Sequence, residues 1–115
     1  MKGYLEGLGN KSFAFECLRL LEENNVPVEV VYRLTDVDYC RHNLDCREAI
    51  LKKSSETPMR KDIVDNCGRP RFYSEVYNYR GHYFLVTNFW YGPKTQIKDN
   101  RTPFMDWVFM MIERS

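Results

Sequence analysis

Two stretches of this chain repeat apolar residues at helical spacing. Phe13, Cys17, Leu18, Leu20 and Leu21 form one stripe, with Glu16, Arg19, Glu22 and Glu23 largely outside it. That spacing predicts a helix from about Lys11 to Asn24, capped by Asn10 or Ser12 and stopped by Asn24-Asn25 before Pro27. Phe104, Trp107, Val108, Met111 and Ile112 form the second stripe, in a helix opening at Thr102-Pro103. Residues 28–33 (VEVVYR) are rich in β-branched side chains and predict a strand. Thr35 and Asp38 are spaced to cap a short helical turn over 36–42. Asp45 and Glu48 have the spacing of a capping box, which predicts a helix to about Lys53 burying Ala49, Ile50 and Leu51. Thr57-Pro58 opens another helix to about Asn66, with Met59, Ile63 and Cys67 on one face and Gly68 at its C-terminus.

The strongest alternating pattern comes next. Residues 71–77 (RFYSEVY) and 82–88 (HYFLVTN) predict two strands joined by Asn78-Tyr79-Arg80-Gly81. If Tyr77 faces His82, then Tyr73, Glu75 and Tyr77 share a face with His82, Phe84 and Val86, while Phe72, Ser74 and Val76 share the other with Tyr83, Leu85 and Thr87. A hairpin with one wet face alternates cleanly. This one is apolar or aromatic on both, so either both faces are covered or one is a working surface. The terminal helices are the expected covers, one on each face. Residues 1–9, with three glycines, read as a loose arm, and 91–102 as a polar loop.

These elements predict a single α+β domain over 1–115, with a small three-stranded antiparallel sheet and four to five helices. Two helices followed by a hairpin, with an earlier strand to pair with it, is the element order of a winged helix-turn-helix. As an architectural comparison, it makes 58–66 the recognition helix and 78–81 the wing. Arg60, Lys61, Arg69, Arg71 and Arg80 would then meet phosphates, and Tyr73, Tyr77 and Tyr79 would add stacking or sugar contacts. Asp62 and Asp65 oppose this on the same helix, so a solvated face of mixed charge competes with a binding face.

Charge changes the picture only locally. The chain carries 17 Lys/Arg and 16 Asp/Glu, so no global field draws it to a polyanion. Residues 1–46 hold five basic and eight acidic side chains, whereas 47–80 hold eight basic and five acidic. Any basic face therefore belongs to the middle of the chain. No apolar segment behind the first residues suggests a signal peptide, and no run is long enough to span a membrane. With four cysteines as free thiols, the expectation is a cytoplasmic protein.

Chemistry-bearing motifs are sparse. Cys40, His42 and Cys46 make a C-x-H-x3-C cluster, the only metal candidate, with Cys67 or His82 as a further ligand. The spacing is not that of a familiar zinc finger or ribbon. No glycine-rich phosphate loop occurs, and no nucleophile, base and orienting group can be assembled. A binder is favoured over an enzyme, and no cofactor is expected. The leading expectation is a nucleic-acid-binding module of winged-helix type, a small regulator or an accessory to a DNA-processing or defence system. The alternative is a compact protein-binding inhibitor or adaptor, of the kind mobile elements encode, using the aromatic hairpin and Phe89, Trp90 and Tyr91. A small metal-dependent enzyme built on the Cys/His cluster ranks third.

Overall fold

The computed structural model describes residues 2–92 and 98–115. Residues 93–97 of the expected polar loop lie outside the described residues. The chain runs α1 (Lys2–Glu6), α2 (Asn10–Glu23), α3 (Val28–Tyr32), a 3₁₀ turn (Arg33–Thr35), α4 (Val37–Leu44), β1 (Leu51–Ser54), α5 (Arg60–Ile63), β2 (Tyr77–Tyr79), β3 (His82–Val86) and α6 (Arg101–Arg114). The strands form one antiparallel sheet in the order β1-β3-β2. The α+β class and the three-stranded sheet are as expected. A radius of gyration of 13.5 Å matches the roughly 13 Å of one compact domain of this length. No helix among the described residues is long and apolar enough to cross a membrane.

Both apolar stripes fold as read. In α2 the predicted residues are buried, with Ala14 added. In α6 Phe104, Trp107, Val108 and Met111 are buried, with Met105 in place of Ile112. The two helices meet through aromatic rings: Phe13 lies edge-on to Phe104 and to Trp90, with centroids 6.2 and 5.6 Å apart. Both therefore pack on one face of the sheet, where Leu51, Tyr79, Phe84 and Val86 join their core. The expectation of one terminal helix per face is corrected.

Leu85 points to the other face. It is fully buried yet stands outside the main core, so that face has its own cover. The segment between β1 and β2 supplies it. Phe72 bridges Thr87, the Lys52 ammonium sits 5.7 Å from the Phe72 ring centre, and Lys52 donates to the Asp62 carbonyl at 3.1 Å.

Four local expectations are overturned. Residues 28–32 are helical, because Pro27 precedes the first turn and places Val31 and Leu34 in the core; packing overrides β-branched propensity. Asp45 does not open a helix. It ends α4 in the left-handed region, with φ 58°, and the chain turns through 46–50 into β1. The helix expected over 58–66 is the four-residue α5, starting after Met59, whose N–H donates to the Asp62 carboxylate at 3.0 Å. Thus the pair of helices required by a winged helix-turn-helix does not stand before the hairpin. Finally, residues 2–6 are no loose arm. They are helical, and Leu5 is fully buried.

The hairpin register is shifted by two from the expected one. Tyr79 faces His82 and Tyr77 faces Phe84. An even shift leaves Tyr77 on its expected face with His82 and Phe84, but the strand expected over 71–77 is corrected: β2 is only Tyr77–Tyr79, and 71–76 are irregular apart from the Phe72–Thr87 bridge. The reversal is the two-residue turn Arg80-Gly81, with φ 50° and 90°, the positive values that a tight hairpin turn requires. Arginine is an unusual residue for this backbone, and its side chain supplies the compensation described below.

Candidate functional site

The hairpin tip, expected to be a wing, is docked on the C-terminal end of α2. The Glu22 carboxylate accepts from the Tyr77 hydroxyl at 2.9 Å and from the Arg80 N–H at 3.0 Å. The Arg80 guanidinium donates to the Glu22 carbonyl at 2.9 Å and to the Asn25 side-chain oxygen at 2.5 Å. These contacts hold the left-handed turn and engage the guanidinium with neutral oxygens. Tyr79 is fully buried and donates to the Val26 carbonyl at 2.5 Å. Tyr73 and Tyr77 are half-buried against the Phe15 ring, with centroids 6.2 and 5.9 Å away. Burial pushes all three phenols up. Arg80, Tyr77 and Tyr79 are thus bonded into the fold, and Tyr73 packs with Tyr77 on Phe15. Tyr79→Phe should therefore lower the unfolding free energy by about 1–3 kcal/mol, since it leaves a buried carbonyl without its donor. Urea denaturation measures this directly; a change below a few tenths of a kcal/mol would remove Tyr79 from that role.

The metal cluster is also corrected. Cys40 and Cys46 are buried, whereas His42 is exposed and donates from Nδ1 to the Asp38 carbonyl at 2.8 Å. Burial holds both thiols above their usual range, Cys46 at about 12, so they stay protonated at neutral pH. Of the further ligands, Cys67 is exposed in a separate turn and the His82 Nδ1 is hydrogen-bonded to the Tyr32 hydroxyl at 3.0 Å. No group of three or more metal-ligating side chains converges among the described residues.

The remaining predicted residues lie together on the segment between β1 and β2. Arg60 and Lys61 are exposed on α5. Residues 64–70 form a small loop closed by the Val64–Pro70 bridge, with Arg69 exposed in it. Asp65 makes this turn. Its carboxylate accepts from the backbone N–H of Arg69 and of Cys67, both at 2.9 Å. The Arg69 N–H is the largest influence holding that carboxyl below its usual range, with Cys67 and the charges of Arg71 and Arg69 adding to it. Asp62 is likewise used in capping Met59. The two acids that seemed to oppose an anion are thus committed to the backbone. Arg47, Lys53, Arg60, Lys61 and Arg69 make no side-chain ion pair or hydrogen bond among the described residues. Only Glu48 and Glu56 remain in that stretch as uncommitted acids.

Arg71 leads from this segment into a cleft of about 540 Å³. Its guanidinium lies 4.5 Å from the Phe89 ring centre and 3.7 Å from the Asp65 carboxylate. Arg47 and Glu48 line the cleft from the loop after α4, and Tyr91 and Lys98 from the other side. Lys98 pairs with Asp45 at 2.7 Å. The aromatic wall is held rigidly. Asn100 accepts from the Tyr91 N–H at 2.8 Å and donates to the Phe89 carbonyl at 2.7 Å, while the Trp90 indole donates to the Thr87 carbonyl at 2.7 Å. Arg47 and Lys98 were missed in the sequence. Arg47 was read as part of a helix, and Lys98 as part of a polar loop. Phe89 and Tyr91 carried a signal, as aromatics beyond the end of a strand. No family model, curated protein or solved structure matches the chain.

Proposed function

We propose that this protein binds nucleic acid in single-stranded form through the cationic side made by Arg47, β1 and residues 58–71. One observation carries the reading. Residues 47–71 hold seven Lys/Arg against four Asp/Glu, and Arg47, Arg60, Lys61 and Arg69 make no side-chain ion pair or hydrogen bond among the described residues. A near-neutral protein thereby presents a local excess of positive charge, which suits a polyanion. The single-stranded form is favoured because α5 is only four residues long, too short to serve as a groove-reading helix, while half-buried aromatic rings lie in the adjacent cleft.

Arg60, Lys61, Arg69 and Arg71 retain the phosphate-contacting role. Arg47 joins them, and Arg80 and the three tyrosines leave the site. Fluorescence anisotropy of a labelled oligonucleotide, measured across a salt series, tests this. Each cation that contacts a phosphate should contribute about 0.7 to the slope of log affinity against log salt. The double variant Arg60→Glu/Lys61→Glu should weaken binding about tenfold or more and flatten that slope. Absent binding at low salt, or binding indifferent to salt and to the double variant, would end the proposal.

A further inference from the structure

We propose that the cleft beside Arg71 is a nucleotide site, built to take one nucleoside phosphate unit with its phosphate at Arg47 and its base against the Phe89–Tyr91 wall. The strand-bound form of this inference rests on the function proposed above; the free-nucleotide form does not. The volume of about 540 Å³ lies within the usual span for small-molecule sites, roughly 300–1,000 Å³. The lining divides into the two kinds of surface that such a ligand needs. Ile50 and the rings of Phe89 and Tyr91 are flat or apolar. Arg47 and Arg71 bring positive charge, while that of Lys98 is matched by Asp45.

Each part is held in place before any ligand arrives. Asn100 clamps the backbone on both sides of Trp90, so the aromatic wall does not need to be ordered on binding. Arg71 is laid on Phe89 and steadied by Asp65, so its charge and its planar face are fixed in one position. Arg47 is exposed and has no side-chain partner among the described residues, which leaves its five donors for an anion. The cleft also holds two acids. Asp45 is neutralised by Lys98 at 2.7 Å. Glu48 is an acceptor of the kind that pairs with a ribose hydroxyl or an exocyclic amine. The combination of flat wall, phosphate donor and single acceptor distinguishes a nucleotide from a bare anion.

The same chemistry is offered by a free mononucleotide and by one unit of a strand. Isothermal titration of the whole protein with adenosine monophosphate, uridine monophosphate, adenosine, inorganic phosphate and a short oligonucleotide separates them. The expected result is that a mononucleotide, the oligonucleotide or both bind, that adenosine and phosphate bind more weakly than the mononucleotide, and that Arg47→Ala weakens binding about fivefold or more. Phe89→Leu should weaken it as well. Its fold is checked by circular dichroism, and Arg47→Ala, which removes an exposed and unpaired side chain, keeps the test decisive if Phe89→Leu does not fold. Binding of the oligonucleotide alone, still sensitive to Arg47→Ala, places the unit within a strand. Mononucleotide binding that survives Arg60→Glu/Lys61→Glu, with no strand binding at all, upholds the cleft and overturns the function proposed above. Affinities for mononucleotide and oligonucleotide that are both absent, or both unchanged by Arg47→Ala, overturn the nucleotide site.

Discussion

Phe104→Ala should lower the unfolding free energy by about 3–5 kcal/mol, the usual range for emptying a large aromatic site in a packed core. Phe104 is fully buried, and its ring is shared among Phe13, Trp90 and Trp107, with centroids 6.2, 5.2 and 6.2 Å away. Those rings belong to α2, to the loop after β3 and to α6, so the cavity would open where three elements meet. Neighbouring aromatics cannot easily collapse into it. Because Trp90 also sits in the loop that carries the cleft wall, the same substitution should loosen Phe89 and Tyr91. Equilibrium urea denaturation gives the first effect. A loss below about 1.5 kcal/mol would mean that the cluster repacks and is not the centre of the fold.

The second large effect concerns the N-terminal helix. Arg101 is a half-buried cation with no carboxylate ion pair among the described residues. Its guanidinium donates to the carbonyls of Leu5 and Leu8 at 3.0 and 2.8 Å and to the Asn10 side chain at 3.0 Å. It also lies 4.2 Å from the Phe13 ring centre. One side chain of α6 thus gathers the end of α1 and the start of α2. Arg101→Met keeps much of the apolar stem and removes every one of these bonds. It should cost about 2–3 kcal/mol, the scale of hydrogen bonds to a charged group. It should also raise amide exchange at Leu8, whose N–H donates to the Leu5 carbonyl at 3.1 Å. Unchanged exchange at Leu8 would show that Leu5 alone docks the helix.

The long amphipathic elements were legible because their apolar spacing and their packing agree. Phe13 to Leu21 and Phe104 to Met111 were read correctly from period alone. The second strand of the hairpin was legible, but the first was placed too early, since β2 is Tyr77–Tyr79 and not 71–77; Asn78 misdirected the turn by its own propensity, and its side-chain oxygen instead accepts from Gly81 N–H at 2.7 Å, inside the tighter reversal. Where signals were short, context won. Residues 28–32 carry strand propensity, yet Pro27 and two core positions three residues apart make them a helix. Asp45 and Glu48 have capping spacing, but the preceding helix ends on Asp45 itself. The site was legible only in part. A basic middle segment was visible as charge asymmetry, and Arg60, Lys61 and Arg69 are indeed exposed on it. What no local pattern discloses is which side chains the fold itself engages. Asp62 and Asp65 looked like repelling surface acids and are backbone caps, whereas Arg80 looked free and is bound to Glu22 and Asn25.

In the function we propose, the working surface runs from α5 through Arg71 into the cleft, and the hairpin tip is scaffold. Backbone amide shifts on titrating the isotope-labelled protein with a short single-stranded oligonucleotide test it most directly. The expected shifts are concentrated at 47–53, 59–71 and 87–91, with Tyr77 to His82 unmoved. Shifts centred on Asn78 to Gly81, or none anywhere on the chain, would contradict it.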